Sequence, residues 1–145
     1  MPETFASSSI PAPAEAVWAV VRDFDGLPGW QPAVTTSALE GGAADRPGAI
    51  RHLGMADGSA VAEVLTVLDD HTRKLVYEIV DSPHPVRFYR GTLHVVTTGT
   101  PACALVRWSI TFDCDPDDTE ALTTSFRDNI LTSGLRGLAR RFDGA

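Results

Sequence analysis

Glu63, Arg51 and Tyr89 are the side chains of this 145-residue chain best suited to chemistry. A glutamate facing an apolar space serves as a general acid or base near neutral pH, because desolvation disfavours its charged form. Arg51 offers a planar fork of donors that orients a carboxylate or enolate. Tyr89 and Trp108 supply a hydroxyl and an indole N–H, suited to ordering a carbonyl-bearing ligand on an apolar wall. His84, between Pro83 and Pro85, has the titration range of a gate or proton relay. Each has a plainer alternative. Glu63 and Arg51 can simply neutralise one another, Tyr89 and Trp108 can be core packing, and His84 can be a solvated loop residue. His52 and His94 alternate outward and His71 falls in a turn. The chain has no Ser/His/Asp arrangement, phosphate-cradling glycine loop, redox cysteine pair or zinc-spaced Cys/His cluster. We therefore expect no covalent catalysis, no cofactor and no metal.

The elements that position these groups are legible in the pattern. Thr4–Ile10 reads as a first strand. Pro13 stands near the start of a helix, where its missing N–H does no harm. Val17, Val20, Val21 and Phe24, at i, i+3, i+4 and i+7, give that helix one buried face. Gly26-Leu27-Pro28-Gly29 breaks it and Trp30-Gln31-Pro32 forms a tight corner, so residues 13–31 should be a two-piece helical segment. From there to residue 113 the period is two, with strands expected at 33–40, 48–54, 60–69, 74–81, 88–97 and 103–113. The breaks are Gly41-Gly42, Ala56-Asp57-Gly58, Asp69-Asp70-His71, Ser82-Pro83-His84-Pro85 and Gly99-Thr100-Pro101. Connections this short join antiparallel neighbours. Asp115 as N-cap and Pro116 at the first position then open a helix of about 25 residues, roughly 37 Å long. Its apolar stripe is Leu122, Phe126, Ile130, Leu135, Leu138 and Phe142. The whole, residues 1–145, reads as one α+β domain: a seven-stranded curved antiparallel sheet on a long C-terminal helix, with two short helices after strand 1.

Alternation assigns the faces. Ala104, Val106, Trp108, Ile110 and Phe112 share one side and must point inward. Leu75, Tyr77 and Ile79 do the same, as do Tyr89, Gly91, Leu93 and Val95. In 60–69 both Glu63-Leu65-Val67 and Val64-Thr66-Leu68 are plausible inner faces. A curved sheet on a single helix leaves space between the two. Gly91, Ser133 and Gly134 would enlarge it, and Tyr77, Tyr89, Trp108 and Phe126 would line it, a mostly apolar pocket with a few convergent polar groups. A solid core built from the same residues is the competing reading.

Composition removes other classes. Twelve basic against nineteen acidic residues give a net charge of −7, the wrong sign for a nucleic-acid partner. No apolar run approaches the roughly 20 residues of a membrane span, and Met1-Pro2-Glu3-Thr4 does not resemble a signal peptide. Cys103 and Cys114 stand eleven positions apart on one extended segment, about 36 Å at strand rise. Two free thiols and a cytoplasmic location are expected. Monomer and homodimer are equally open.

Ile10-Pro11-Ala12-Pro13-Ala14-Glu15-Ala16-Val17-Trp18, Asp23-Phe24-Asp25 and Trp30 resemble the opening of the START-related, Bet v 1-like helix-grip superfamily. The bacterial polyketide cyclase/dehydrase-like proteins are the nearest groups. Glu63 to Asp70 and His84 to Arg90 also resemble plant abscisic-acid receptors of that superfamily. The resemblance covers nearly the whole chain and is specific for fold rather than function. It implies a hydrophobic cavity gripped between sheet and helix, and it turns Glu63 inward with Thr35, Arg51, Tyr89, Gly91 and Trp108. The receptors carry a ligand-anchoring lysine where Thr35 stands, and their gate loop is replaced around Gly54-Met55-Ala56-Asp57-Gly58, so hormone sensing is not inferred.

The ligand-contacting set expected on this basis is Thr35, Arg51, Glu63, Tyr77, Tyr89, Gly91, Trp108, Phe126, Ile130 and Ser133, and the partner is a small hydrophobic, polyketide-like or aromatic metabolite. As a cyclase or dehydratase, the cavity would fold a flexible substrate, chiefly by proximity. Glu63 would shuttle a proton, while Arg51 and Tyr89 position oxygens. As a carrier or sensor the pocket would bind without chemistry. As a partner-binding domain its pocket would be vestigial.

Overall fold

Seven runs of alternating side chains pair into one sheet in the computed structural model, which describes residues 1–41 and 43–143. Gly42, half of the expected Gly41-Gly42 break, lies outside the described residues. The strands are β1 (Glu3–Ile10), β2 (Val34–Glu40), β3 (Ile50–Met55), β4 (Ala60–Asp69), β5 (Lys74–Asp81), β6 (Val86–Thr97) and β7 (Ala104–Cys114). Their order is β1-β7-β6-β5-β4-β3-β2, and every neighbouring pair is antiparallel. The chain is thus a meander in which only β1, separated from β2 by the helical segment, joins the far edge. In β7 the residues Ala104, Val106, Trp108, Ile110 and Phe112 are all buried, as period two requires.

β4 resolves its own ambiguity. Val61, Glu63 and Leu65 are buried, but the register shifts between Leu65 and Val67. A bulge of this kind turns the following side chains over. Val67 is consequently exposed, and Leu68 packs against the core opposite Leu75. Each expected inner face is correct for part of the strand.

Between β1 and β2 lie α1 (Ala14–Val21) and a 3₁₀ turn (Leu27–Gly29), the two pieces expected of this segment. α1 buries Val17, Trp18 and Val21. It is fastened to the β4–β5 turn, where Asp70 accepts from Trp18 Nε1 and Arg22 Nε, both at 2.8 Å, and Arg73 donates to Glu15.

The C-terminal helix is less regular than its stripe suggests. A 3₁₀ turn (Pro116–Asp118) leads into α2 (Thr119–Ser125), a π-helical stretch (Phe126–Thr132) and α3 (Ser133–Arg141). The π-helical stretch takes up the five-residue step from buried Phe126 to buried Leu131, since its wider turn returns the chain to the same face after one extra residue. Asp115 does not cap the helix with its side chain; its carboxylate accepts from Arg87 at 2.7 Å instead. Cys103 and Cys114 are both free, and no helix among the described residues is long and apolar enough to cross a membrane.

Candidate functional site

Arg51 and Glu63 face each other because β3 and β4 pair in a register that sets them directly opposite. Both are buried, Arg51 to 3% exposure and Glu63 to 6%. Arg51 Nε and Nη2 donate to the same oxygen, Glu63 Oε1, at 2.9 and 2.7 Å. Its Nη1 donates to the Phe24 carbonyl at 3.1 Å, just beyond α1. The guanidinium lies over the Phe24 ring at 4.0 Å and the Tyr77 ring at 5.0 Å. The arginine is therefore neutralised and clamped between aromatic faces. Glu63 Oε2 accepts no hydrogen bond from the described residues, yet it is not among their sealed, unpartnered polar atoms.

These two residues form the polar end of a cavity between sheet and helix. Leu27, Val61, Tyr77, Ile79, Tyr89 and Trp108 provide much of its wall, and Gln31, His84 and Ile130 border it. The space leaves about 40 Å³ for the centre of a water-sized sphere, room for about three waters at 10–15 Å³ each. A larger ligand enters only if part of the wall yields.

The aromatic wall is hydrogen-bonded as well as packed. Trp108 Nε1 donates to Tyr77 Oη at 3.2 Å. Burial first, and the Glu63 carboxylate second, push the Tyr77 hydroxyl far above its ordinary range. Burial does the same to Tyr89, followed by the neighbouring Tyr77 phenol and Glu63. Both hydroxyls stay protonated at neutral pH and act as neutral donors and acceptors. His84, half-buried, meets the Phe126 ring edge-on at 5.2 Å. Burial lowers its pKa, and the Asp57 charge opposes that shift.

Of the expected residues, Arg51, Glu63, Tyr77, Tyr89, Trp108 and Ile130 border the cavity. Thr35 does not join them. It is exposed beside the β2 register shift, and its hydroxyl donates to the Gly54 carbonyl at 3.0 Å. Phe126 is fully buried behind the wall, stacked edge-on against Tyr89 and Phe112, and half-buried Ser133 does not border the cavity. Gly91 and Gly134 do not enlarge the space. A Cβ on Gly91 would stand 2.1 Å from Tyr77 Cζ, and one on Gly134 would stand 2.5 Å from both Gln31 and Trp108. These glycines make room for larger neighbours that fill it.

Gln31 is the polar residue that pattern reading missed. It is buried, donates to the Ile130 carbonyl in the π-helical stretch at 3.0 Å, and accepts from the Ala33 amide. Its position in the Trp30-Gln31-Pro32 corner was the available signal. Among the described residues Trp30 Nε1 is the one buried side-chain polar atom without a partner. No cluster of metal-ligating side chains occurs among them.

A family model described as polyketide cyclase / dehydrase and lipid transport matches residues 1–143. Abscisic acid receptor PYL10 of Oryza sativa subsp. japonica is 32% identical over 139 residues, covering 89% of this chain and 65% of the rice protein, just under two thirds of its length. A Thermobifida fusca protein solved by solution NMR is 33% identical with a TM-score of 0.89, covering 98% of this chain and 93% of that one. XoxI from Bacillus cereus is 32% identical with a TM-score of 0.86, covering 98% and 96%.

Proposed function

The chain belongs to the polyketide cyclase / dehydrase and lipid transport family, within the helix-grip superfamily, and from that premise we propose that its cavity binds a small, largely apolar metabolite. The observation that carries this reading is the half-used carboxylate. Glu63 Oε1 is held by Arg51, while Oε2 takes no bond from the described residues on the border of an otherwise mostly apolar space. That oxygen opens onto the cavity and is left free by the protein's own donors, so a ligand hydroxyl or enol can donate to it.

In the cyclase or dehydratase form of this reading, the aromatic wall folds a flexible substrate into a reactive conformer. Glu63 Oε2 takes a proton from an acidic carbon or hydroxyl and returns it to the departing oxygen. Arg51 holds the carboxylate in place, and Tyr89 donates to a substrate carbonyl. Admission of the ligand occurs at the mouth between the His84 loop and the Asp57 turn, or beside the Leu27–Gly29 turn. The carrier or sensor form has its own supporting observation: three of the five Arg51 N–H groups, including both that face Glu63, already donate within the protein, which fits an arginine that holds the carboxylate in place.

Glu63→Gln separates the two. Binding is read with the neutral fluorophore N-phenyl-1-naphthylamine and turnover with poly-β-ketone thioester mimics. Retained binding with lost turnover supports the cyclase. Turnover equal to that of the parent protein removes Glu63 from the chemistry, and ligands bound but chemically unchanged support the carrier.

A further inference from the structure

The outer face of the sheet carries a cluster that the cavity does not use. Register places Lys74 of β5 opposite His94 of β6, His94 opposite Arg107 of β7, and Arg107 opposite Ser7 of β1. One transverse row thus holds three basic side chains on three adjacent strands. The neighbouring row brings Thr92, Ser109 and Phe5 alongside. The two rows line an open depression on this face.

Register sets Lys74 and Arg107 on either side of His94 and not opposite one another, so both long side chains can reach a group placed above the imidazole. Among the described residues Lys74 and Arg107 have no carboxylate partner, a property they share with Arg46, Arg136, Arg140 and Arg141; what sets Lys74 and Arg107 apart is that they converge on one row with His94 between them. Asp69, the register partner of Lys74 on its other side, is occupied with the His71 and Thr72 amides of the turn. Partial burial, then Lys74, hold His94 below its ordinary pKa, with Arg107 and Arg73 adding to the effect and a hydrogen bond with the Thr72 backbone opposing it. Strand spacing of about 4.8 Å sets the Lys74 and Arg107 backbones about 10 Å apart, a span that two long side chains can close over one group above His94.

We propose that this row binds a single tetrahedral oxyanion, a phosphate or sulfate group carried by a small molecule. Lys74, His94 and Arg107 supply charge and N–H donors, and Ser7, Thr92 and Ser109 supply hydroxyls. Phe5, 69% exposed beside them, offers an apolar rest for the body of that molecule. A net charge of −7 repels an extended polyanion, while one anionic group feels chiefly the charges within a Debye length of about 8 Å. The site therefore suits a small phosphorylated or sulfated compound and not a nucleic acid.

NMR titration of the intact ¹⁵N-labelled chain with inorganic phosphate, phenyl phosphate and phenyl sulfate, at ionic strength held constant with chloride, tests this. Saturable shifts confined to the amides around residues 5–7, 74, 92–94 and 107–109 are expected, with the His94 imidazole titrating at higher pH when phosphate is bound. Phenyl phosphate should bind more tightly than inorganic phosphate, and equal affinity would remove Phe5 from the site. Preference between the two phenyl esters identifies the oxyanion. Lys74→Gln/Arg107→Gln, which removes two outer-face charges that make no salt bridge among the described residues and should fold normally, is expected to weaken binding at least tenfold. Shifts that never saturate, that chloride reproduces, or that persist with unchanged affinity in the double variant would overturn the proposal.

Discussion

Replacing Glu63 with leucine strips Arg51 of its counter-charge. The guanidinium is 3% exposed and makes three hydrogen bonds, two of them to Glu63 Oε1 at 2.9 and 2.7 Å. Glu63→Leu removes both and leaves the charge against the Phe24 and Tyr77 rings. Breaking a buried pair from one side costs about 3–5 kcal/mol. Because both residues border the cavity and water can reach the orphaned charge there, the lower end applies, about 3 kcal/mol. For a domain of this size that lowers Tm by about 6–12 °C. Arg51→Met/Glu63→Leu removes both charges and fills the same volume, so its stability should lie within about 1 kcal/mol of the parent or above it. Urea unfolding followed by tryptophan fluorescence on all four corners of the cycle measures the coupling. Single variants that each cost under about 1 kcal/mol and simply add would refute the reasoning and place the pair in a solvated setting. A double variant that stays folded also isolates function, because the fold then stands without the pair while ligand selection by Glu63 is gone.

The remaining predictions concern packing and pH. Gly91→Ala drives a Cβ to 2.1 Å from Tyr77 Cζ, and the overpacking should cost about 1–3 kcal/mol, read as a lower urea midpoint. The Trp108 indole N–H resonance should shift in the same variant as its bond to Tyr77 is displaced. His84 and His94 both have pKa values below 6.5 in the folded state, chiefly through burial. The unfolded chain thus takes up protons first as pH falls. Their contribution is complete above pH 6.5 and is lost as pH drops through the folded values, so the urea midpoint should fall between pH 7.5 and 5.5. His84→Gln/His94→Gln should flatten that slope, and a slope identical to the parent's would contradict the assignment.

Much of this architecture is written in alternation. Trp108, Tyr77 and Tyr89 point inward because period two permits nothing else once Arg107, Glu78 and Arg90 are placed outside. The β4 strand shows where such reading stops. A bulge after Leu65 inverts the pattern midway, and a bulge leaves no residue signature in Glu63-Val64-Leu65-Thr66-Val67. The π-helical stretch, by contrast, left a trace, the five-residue step between apolar positions, which a uniform 3.6 period hides. Thr35 was placed inward by resemblance alone, and the β2 register shift puts it on the exposed side. Gly91 and Gly134 illustrate a different limit. A small residue signals a close approach, but only coordinates tell whether the neighbour is a ligand or, as here, a tyrosine and a tryptophan of the same chain. Gln31 went unnoticed because the carbonyl it serves is created by the irregular helix.

Native mass spectrometry of the protein purified from its own host tests most directly whether the space between sheet and helix is a binding cavity. The parent protein should carry a non-covalent small-molecule adduct, and Ile79→Trp, which plugs the wall, should lose it while remaining folded. A bare mass in both, or the same adduct surviving in the plugged variant, would contradict the account.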